Sequence, residues 1–154
     1  MKFTISDASP DNLEGMLALY QRLAEFEVPS RRRPEELWAG DALLTQKWAD
    51  GMVENAIFKI ALDSQSVVVG TAFARLRPEA LSQKPSAHLE VLVVADNAEG
   101  HGVGRALVEA VEVQVKEMGA SSLTLNVFRN NKAARGFYQK LGFDEELIRC
   151  IKEL

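Results

Sequence analysis

Cysteine is nearly absent from this chain: Cys150 stands alone among 154 residues. No internal disulfide can form, and a reducing compartment fits. No run approaches the ~18 consecutive apolar residues of a membrane span. There is no excess of basic residues either. Lys and Arg number 18 against 22 Asp and Glu, a formal charge of −4, so nothing recommends a nucleic-acid partner. The opening Met1-Lys2-Phe3-Thr4-Ile5-Ser6 leads into no apolar h-region, so no signal peptide is expected and the cytoplasm is the expected location. No internal repeat, low-complexity segment or linker interrupts the chain. The expectation is one domain over residues 1–154, long enough to bury a proper core. A weakly acidic surface would tolerate cationic substrates.

What the chain does have is a strand, a glycine loop and a helix in immediate succession. Leu89 to Val94 is an almost unbroken apolar run rich in Val, the pattern of a strand buried on both faces. Ala95 to Ala98 carries turn chemistry. Gly100, Gly102 and Gly104 then alternate, and an apolar stripe follows at Leu107, Ala110, Val111, Val115 and Met118, at helical spacing. Gly119 stands where a C-cap glycine belongs. Each glycine costs about 0.5–1 kcal/mol in regular structure. What they provide is bare backbone at the positive end of a helix dipole. Residues 100–105 therefore read as a phosphate or pyrophosphate cradle, against the plainer reading of a tight glycine-rich turn. The dinucleotide fingerprint fails, because Arg105 occupies its third glycine position, and no Gly-Lys-Ser/Thr completes a Walker loop.

Taken in order, Phe3 and Ile5 alternate with polar residues as a first strand. Helical spacing from Leu13 through Met16, Leu17, Tyr20 and Leu23 predicts one helix, ended by Pro29. Ser30 to Pro34 is a basic connector, read as a solvated loop. A second helix is expected from about Pro34 to Ala49. Residues 56–62 and 67–76 form a hairpin, and 77–86 a mobile-looking loop. A strand at 123–127, a helix from about Asn131 to Leu141 closed by Gly142, and a final strand over Leu147 to Ile151 complete the chain. The fold class expected is α/β, of the α+β kind, with a mixed sheet.

A second constellation lies between Asn126 and Phe143. Asn131, Arg135 and Tyr138 share one helix face, beside an oily face of Ala134, Phe137 and Leu141. The row can line a cleft. It can equally be a start signal, a solvated cation and a half-buried phenol.

The loop's Gly102-Val103-Gly104 resembles the Gln/Arg-x-x-Gly-x-Gly/Ala signature of the GNAT superfamily of N-acetyltransferases. Glu99 stands where that family usually has Gln or Arg, an unfavourable neighbour for a pyrophosphate that His101 and Arg105 could partly offset. The family's second motif, Asn-x-x-Ala-x-x-x-Tyr-x-Lys-x-Gly-Phe, is matched by Asn131, Ala134, Tyr138, Lys140, Gly142 and Phe143. The likeness is specific from 89 to 143 and architectural before that. It implies a central mixed sheet with splayed central strands and about four flanking helices. It implies acetyl-CoA as cosubstrate, no metal, and direct transfer to a primary amine of a small molecule. An acyl-CoA sensor that has lost catalysis is the alternative, motivated by Glu99.

The resemblance also implies roles. The pantetheine arm would lie between strands 88–94 and 122–127, along Leu92, Val93, Val94 and Asn126. The pyrophosphate would meet Glu99, Gly100, His101, Gly102, Val103, Gly104 and Arg105. Asn131, Ala134 and Arg135 would add cofactor contacts, and Tyr138 would protonate the departing thiolate. A backbone N–H near Val93 or Val94 would meet the oxyanion. Glu90, a carboxylate in an apolar strand, is either the base that deprotonates the amine or a structural partner of His88, which lies on the same strand face. The acceptor pocket would fall within residues 20–40, where Glu25, Glu27, Glu35 and Glu36 could favour a polycation. The strings at 23–27 and 89–94 look loosely like the diamine and polyamine branch. Homodimers are plausible for such domains.

Overall fold

The computed structural model describes residues 1–154. Five strands form one sheet in the order of the chain: β1 (Phe3–Asp7), β2 (Ala56–Asp63), β3 (Val68–Pro78), β4 (Pro85–Val94) and β5 (Leu123–Leu125). The first four run antiparallel and β5 joins β4 in parallel. The parallel step needs a crossover, and α3 (Val103–Glu117) supplies it. The other helices are α1 (Leu13–Leu17), α2 (Ala39–Ala49) and α4 (Lys132–Lys140).

Each sheet face carries its own core. On one face α3 buries Val103, Leu107, Val108, Val111 and Val115 against Ile57, Ala72, Ala74 and Leu89. On the other, Met16, Leu19 and Tyr20 meet Phe58, Ile60, Phe73, Val91 and Val93. Phe58 stacks on both Trp48 and Phe73, with ring centroids 4.2 Å and 4.1 Å away.

β4 changes face midway. Ala87 and Leu89 belong to the α3 core, whereas Val91 and Val93 belong to the opposite one. Residues two apart keep one face in a regular strand, so an extra residue must intervene. The pairing locates it: Phe73 is opposite Val91 and Ala74 opposite Leu89, leaving Glu90 unpaired in a β-bulge. The apolar run at 89–94 thus feeds two cores in succession.

Four expectations from sequence require correction. The first helix is not continuous. It breaks into α1 and a 3₁₀ turn at Tyr20–Ala24, with Leu19 N–H bonding Met16 O and Arg22 N–H bonding Leu19 O. The second begins as a separate 3₁₀ turn, Pro34–Leu37, broken from α2 at Trp38, whose φ is −138°. The final strand at 147–151 does not form. Residues 143–154 have no regular structure, and Leu147 and Ile148 are 74 % and 91 % exposed. Those two are adjacent, so a strand would send them to opposite faces, and β5 offers an edge of only three residues. The loop expected at 77–86 is shorter, residues 79–84, because β3 reaches Pro78 and β4 starts at Pro85.

Candidate active site

β4 and β5 pair only from Ala87 with Leu123 to Leu89 with Leu125. Beyond that point β4 continues to Val94 while β5 has ended. The two chains part, and a cavity of about 340 Å³ opens between them. Glu90, Leu92, Val93 and Val94 form one wall; Asn126, Val127, Asn131, Ala134 and Tyr138 form the other. Leu23, Glu25, Phe26, Leu37 and Asp41 close it from above the sheet, and Arg22 and Glu99 stand at one end. The bulge is why Glu90 can be here: an extra residue re-aims its side chain out of the two apolar cores.

The glycine loop adjoins the Glu99 end. Gly102 caps α3 in the left-handed region, with φ of 83°, a conformation that favours glycine. It has no side chain to cap the helix, so the first-turn N–H groups lack intrahelical partners, and the first helical bond is Ala106 N–H to Gly102 O at 3.0 Å. A Cβ on Gly102 or Gly100 would meet nothing within 4 Å, which leaves these amides approachable. Gly104 is glycine for another reason: a Cβ there would lie 3.2 Å from Phe137 Cζ and 3.6 Å from Val94 Cγ2. The loop and α4 therefore touch. Val103 is buried and offers only backbone. His101 and Arg105 are exposed; Arg105 reaches Glu109 at 3.6 Å.

Tyr138 faces the cavity with its ring packed edge-on against Phe137 and Phe143, at centroid distances of 5.3 Å and 5.7 Å. Burial alone pushes its hydroxyl up to about 12. Asn131 lines the same wall and caps α4, its Oδ1 accepting from Ala134 N–H at 3.1 Å. Arg135 does not line the cavity. Its guanidinium takes Glu145 at 2.6 Å and 2.9 Å and the Arg129 carbonyl at 3.1 Å. The face shared by Asn131, Arg135 and Tyr138 is therefore divided: its ends border the cavity and its middle does not.

Glu90 is not bonded to His88. His88 Nδ1 lies 2.7 Å from Thr124 Oγ1, tying β4 to β5 just before they part. Burial lowers the His88 pKa, Arg77 adds to that, and Glu90 opposes it. The cation nearest Glu90 is Arg77, Nη1 to Oε1 at 3.9 Å.

Two residues at this site went unread in the sequence. Arg22 donates from Nε to the Val94 carbonyl at 2.8 Å, while Nη2 holds Glu99 at 2.6 Å and Nη1 holds Glu25 at 2.8 Å. No local pattern marks it, because its partners at 94 and 99 come from a distant part of the chain. Asp41 sits in the first turn of α2 and lines the cavity. Burial, reinforced by the Glu90 charge, raises its carboxyl to about 6. Of the four acidic residues expected to favour a polycation, only Glu25 lines the cavity. Glu36 instead accepts from Arg33 N–H at 2.6 Å.

Residues 14–143 match the acetyltransferase (GNAT) family. The aminoglycoside N(6')-acetyltransferase type 1 of Stenotrophomonas maltophilia is 34 % identical over 116 residues, covering 71 % of this chain and 74 % of that protein. The mycothiol acetyltransferase of Renibacterium salmoninarum is 29 % identical over 102 residues, 66 % of this chain. The chain spans about three tenths of the length of the curated mycothiol acetyltransferases it matches, between 29 % and 38 %. Among solved structures, AAC(6')-Iy bound to the bisubstrate analogue CoA-S-monomethyl-acetylneamine superposes with a TM-score of 0.76 at 19 % identity, over all of both chains. An acetyltransferase of Trypanosoma brucei gives 0.69 at 21 % identity, over 99 % of this chain and all of that one. At such identities the structural likeness is one of fold. The sequence match carries the assignment: the chain belongs to the acetyltransferase (GNAT) family.

Proposed function

We propose that this chain transfers an acetyl group from acetyl-CoA directly to a primary amine of a small molecule. The observation that carries the reading is the parting of β4 and β5 after Leu89 and Leu125, which opens a cleft that runs from Glu99, the residue before the glycine loop, to Glu90 and Tyr138. The relatives point the same way, being named for small molecules, mycothiol and aminoglycosides.

The residues suit acetyl-CoA as a donor. Unpartnered N–H groups at the start of α3 are a pyrophosphate site, and Gly100 and Gly102 leave them open to approach. The pantetheine arm has the length of β4 from Glu90 to Val94 on one side and 126–128 on the other, where its amides can bond as an added strand would. Glu99 motivated the reading of a binding module without catalysis. Its carboxylate is held by Arg22, which offsets its charge at this end of the cleft.

In the transfer, the acceptor nitrogen attacks the thioester carbonyl carbon and the C–S bond breaks. Before attack, Glu90 takes one proton from the acceptor ammonium, directly or through water, to leave a neutral amine, and the nitrogen's second proton passes to solvent as the tetrahedral intermediate collapses. Tyr138 gives its phenolic proton to the departing sulfur and regains one from solvent. A phenol held at about 12 stays protonated at neutral pH, as this role requires. A backbone N–H at Val93 or Val94 meets the developing oxyanion.

The test is release of free thiol from acetyl-CoA across a panel of small primary amines. The reading expects amine-dependent release. Coenzyme A binding with no release over the whole panel would contradict it.

A further inference from the structure

We propose that Asp41 is an acceptor-binding residue, holding a second cationic centre of a diamine-like acceptor while Glu90 serves the amine that reacts. The inference rests on the acetyltransferase reading and adds the substrate class.

Two carboxylates on different elements face one cavity. Glu90 comes from the β4 bulge and Asp41 from the first turn of α2. The site's cations are already engaged. Arg22 is spent on the Val94 carbonyl, Glu25 and Glu99, Arg77 stands beside Glu90, and His88 is bonded to Thr124. The Asp41 carboxylate has no ion pair or hydrogen bond within the chain, yet it is half-buried and feels the Glu90 charge. Uncompensated carboxylates in such a setting are costly unless a cation joins them.

Asp41 is also held in place. Thr45 Oγ1 donates to the Asp41 carbonyl at 2.8 Å, so the Tyr20 phenol donates to Thr45 at 2.6 Å. Tyr20 and Thr45 are both fully buried. This chain of bonds fixes the first turn of α2 against the core beneath the cavity. Pre-organisation of that kind suits a recognition residue.

Chemistry separates the two carboxylates. An ammonium clasped by both would keep its proton and could not attack. If Glu90 takes the proton from one amine, Asp41 is left to hold another charge on the same molecule. Acceptors with two basic nitrogens fit; simple alkylamines leave Asp41 unpaired.

The experiment compares 1,4-diaminobutane with n-butylamine by calorimetric titration in the presence of coenzyme A, and by thiol release, in wild type, Asp41→Asn and Asp41→Glu. Wild type should favour the diamine by about tenfold or more, in affinity and in KM rather than kcat. Asp41→Asn should treat the two amines alike, with the acetyl-CoA KM unchanged. Asp41→Glu, which keeps the charge on a longer arm, should keep the preference and shift it toward 1,3-diaminopropane. A wild type with no preference, or Asp41→Asn with the preference intact, overturns the inference. Should Asp41→Asn not fold, an unshifted preference in Asp41→Glu overturns it equally. Diamine preference lost in Asp41→Asn, with no thiol released by wild type, would uphold this inference while acetyl transfer fails. Thiol release without preference would do the reverse.

Discussion

Arg22 holds Glu99 at 2.6 Å through Nη2 while its Nε donates to the Val94 carbonyl at 2.8 Å. One side chain thus links the 3₁₀ turn at 20–24, the end of β4 and the approach to the glycine loop. It also answers why an acidic residue is tolerated where the family usually has Gln or Arg. Arg22→Ala should leave Glu99 uncompensated beside the pyrophosphate and weaken coenzyme A binding by about tenfold. Adding Glu99→Gln should restore most of that affinity. Calorimetry on the wild type, the two single variants and the double variant decides it; additive losses would contradict the linkage.

Tyr138→Phe removes the proposed acid and little else, since the ring's contacts with Phe137 and Phe143 are apolar. Turnover should fall by about 10²–10⁴-fold, with affinity for acetyl-CoA within about twofold. The pH–rate profile adds a check. An acid must be protonated to act, and burial holds this hydroxyl at about 12, so wild type should show no tyrosine-dependent loss of rate below about pH 11. Unchanged turnover in the variant would remove Tyr138 from the mechanism.

Asp41 should make stability depend on pH in an identifiable window. Its carboxyl is raised from 3.8 to about 6. A raised folded pKa contributes stability that is fully present below the unfolded value and lost as pH rises through the folded one. The melting temperature should therefore carry a decline between about pH 4 and pH 6 that Asp41→Asn lacks, amounting to a few degrees. Glu90 is the charge facing Asp41 that adds to burial, so Glu90→Gln should reduce the decline. Parallel melting curves for wild type and Asp41→Asn would contradict this.

Gly102→Ala places a side chain at φ of 83°. It should destabilise by about 1 kcal/mol or somewhat more, a loss of about 2–4 °C in melting temperature for each kcal/mol. Coenzyme A affinity should fall as well, because the amide geometry of the first turn shifts. Gly136→Ala is the control, since a Cβ there meets nothing within 4 Å and the helix φ is ordinary.

The sequence made local features plain. Glycines at 100, 102 and 104 ahead of an apolar stripe named both the loop and α3, and Asp63 to Ser66 between two β-rich runs named the hairpin. What lay beyond local pattern was of another kind. The bulge at Glu90 arises because β4 must supply Leu89 to one core and Val91 to the other, a demand visible only once both cores exist. Arg22 meets Val94 and Glu99 across more than seventy residues, so no spacing rule could propose it. Arg135 kept helical register with Asn131 and Tyr138, yet Glu145 captured it from a segment with no regular structure. The stretch 147–151 had strand-like composition without strand-like alternation, and composition misled.

The account turns on coenzyme A lying along the parted strands with its pyrophosphate on the glycine-loop amides. Assigned amide resonances, followed during titration with coenzyme A, test that directly. The account predicts the largest shifts at residues 100–106, with further shifts at 90–94 and 126–131. Shifts confined elsewhere, with the amides of 100–106 unmoved, would contradict it.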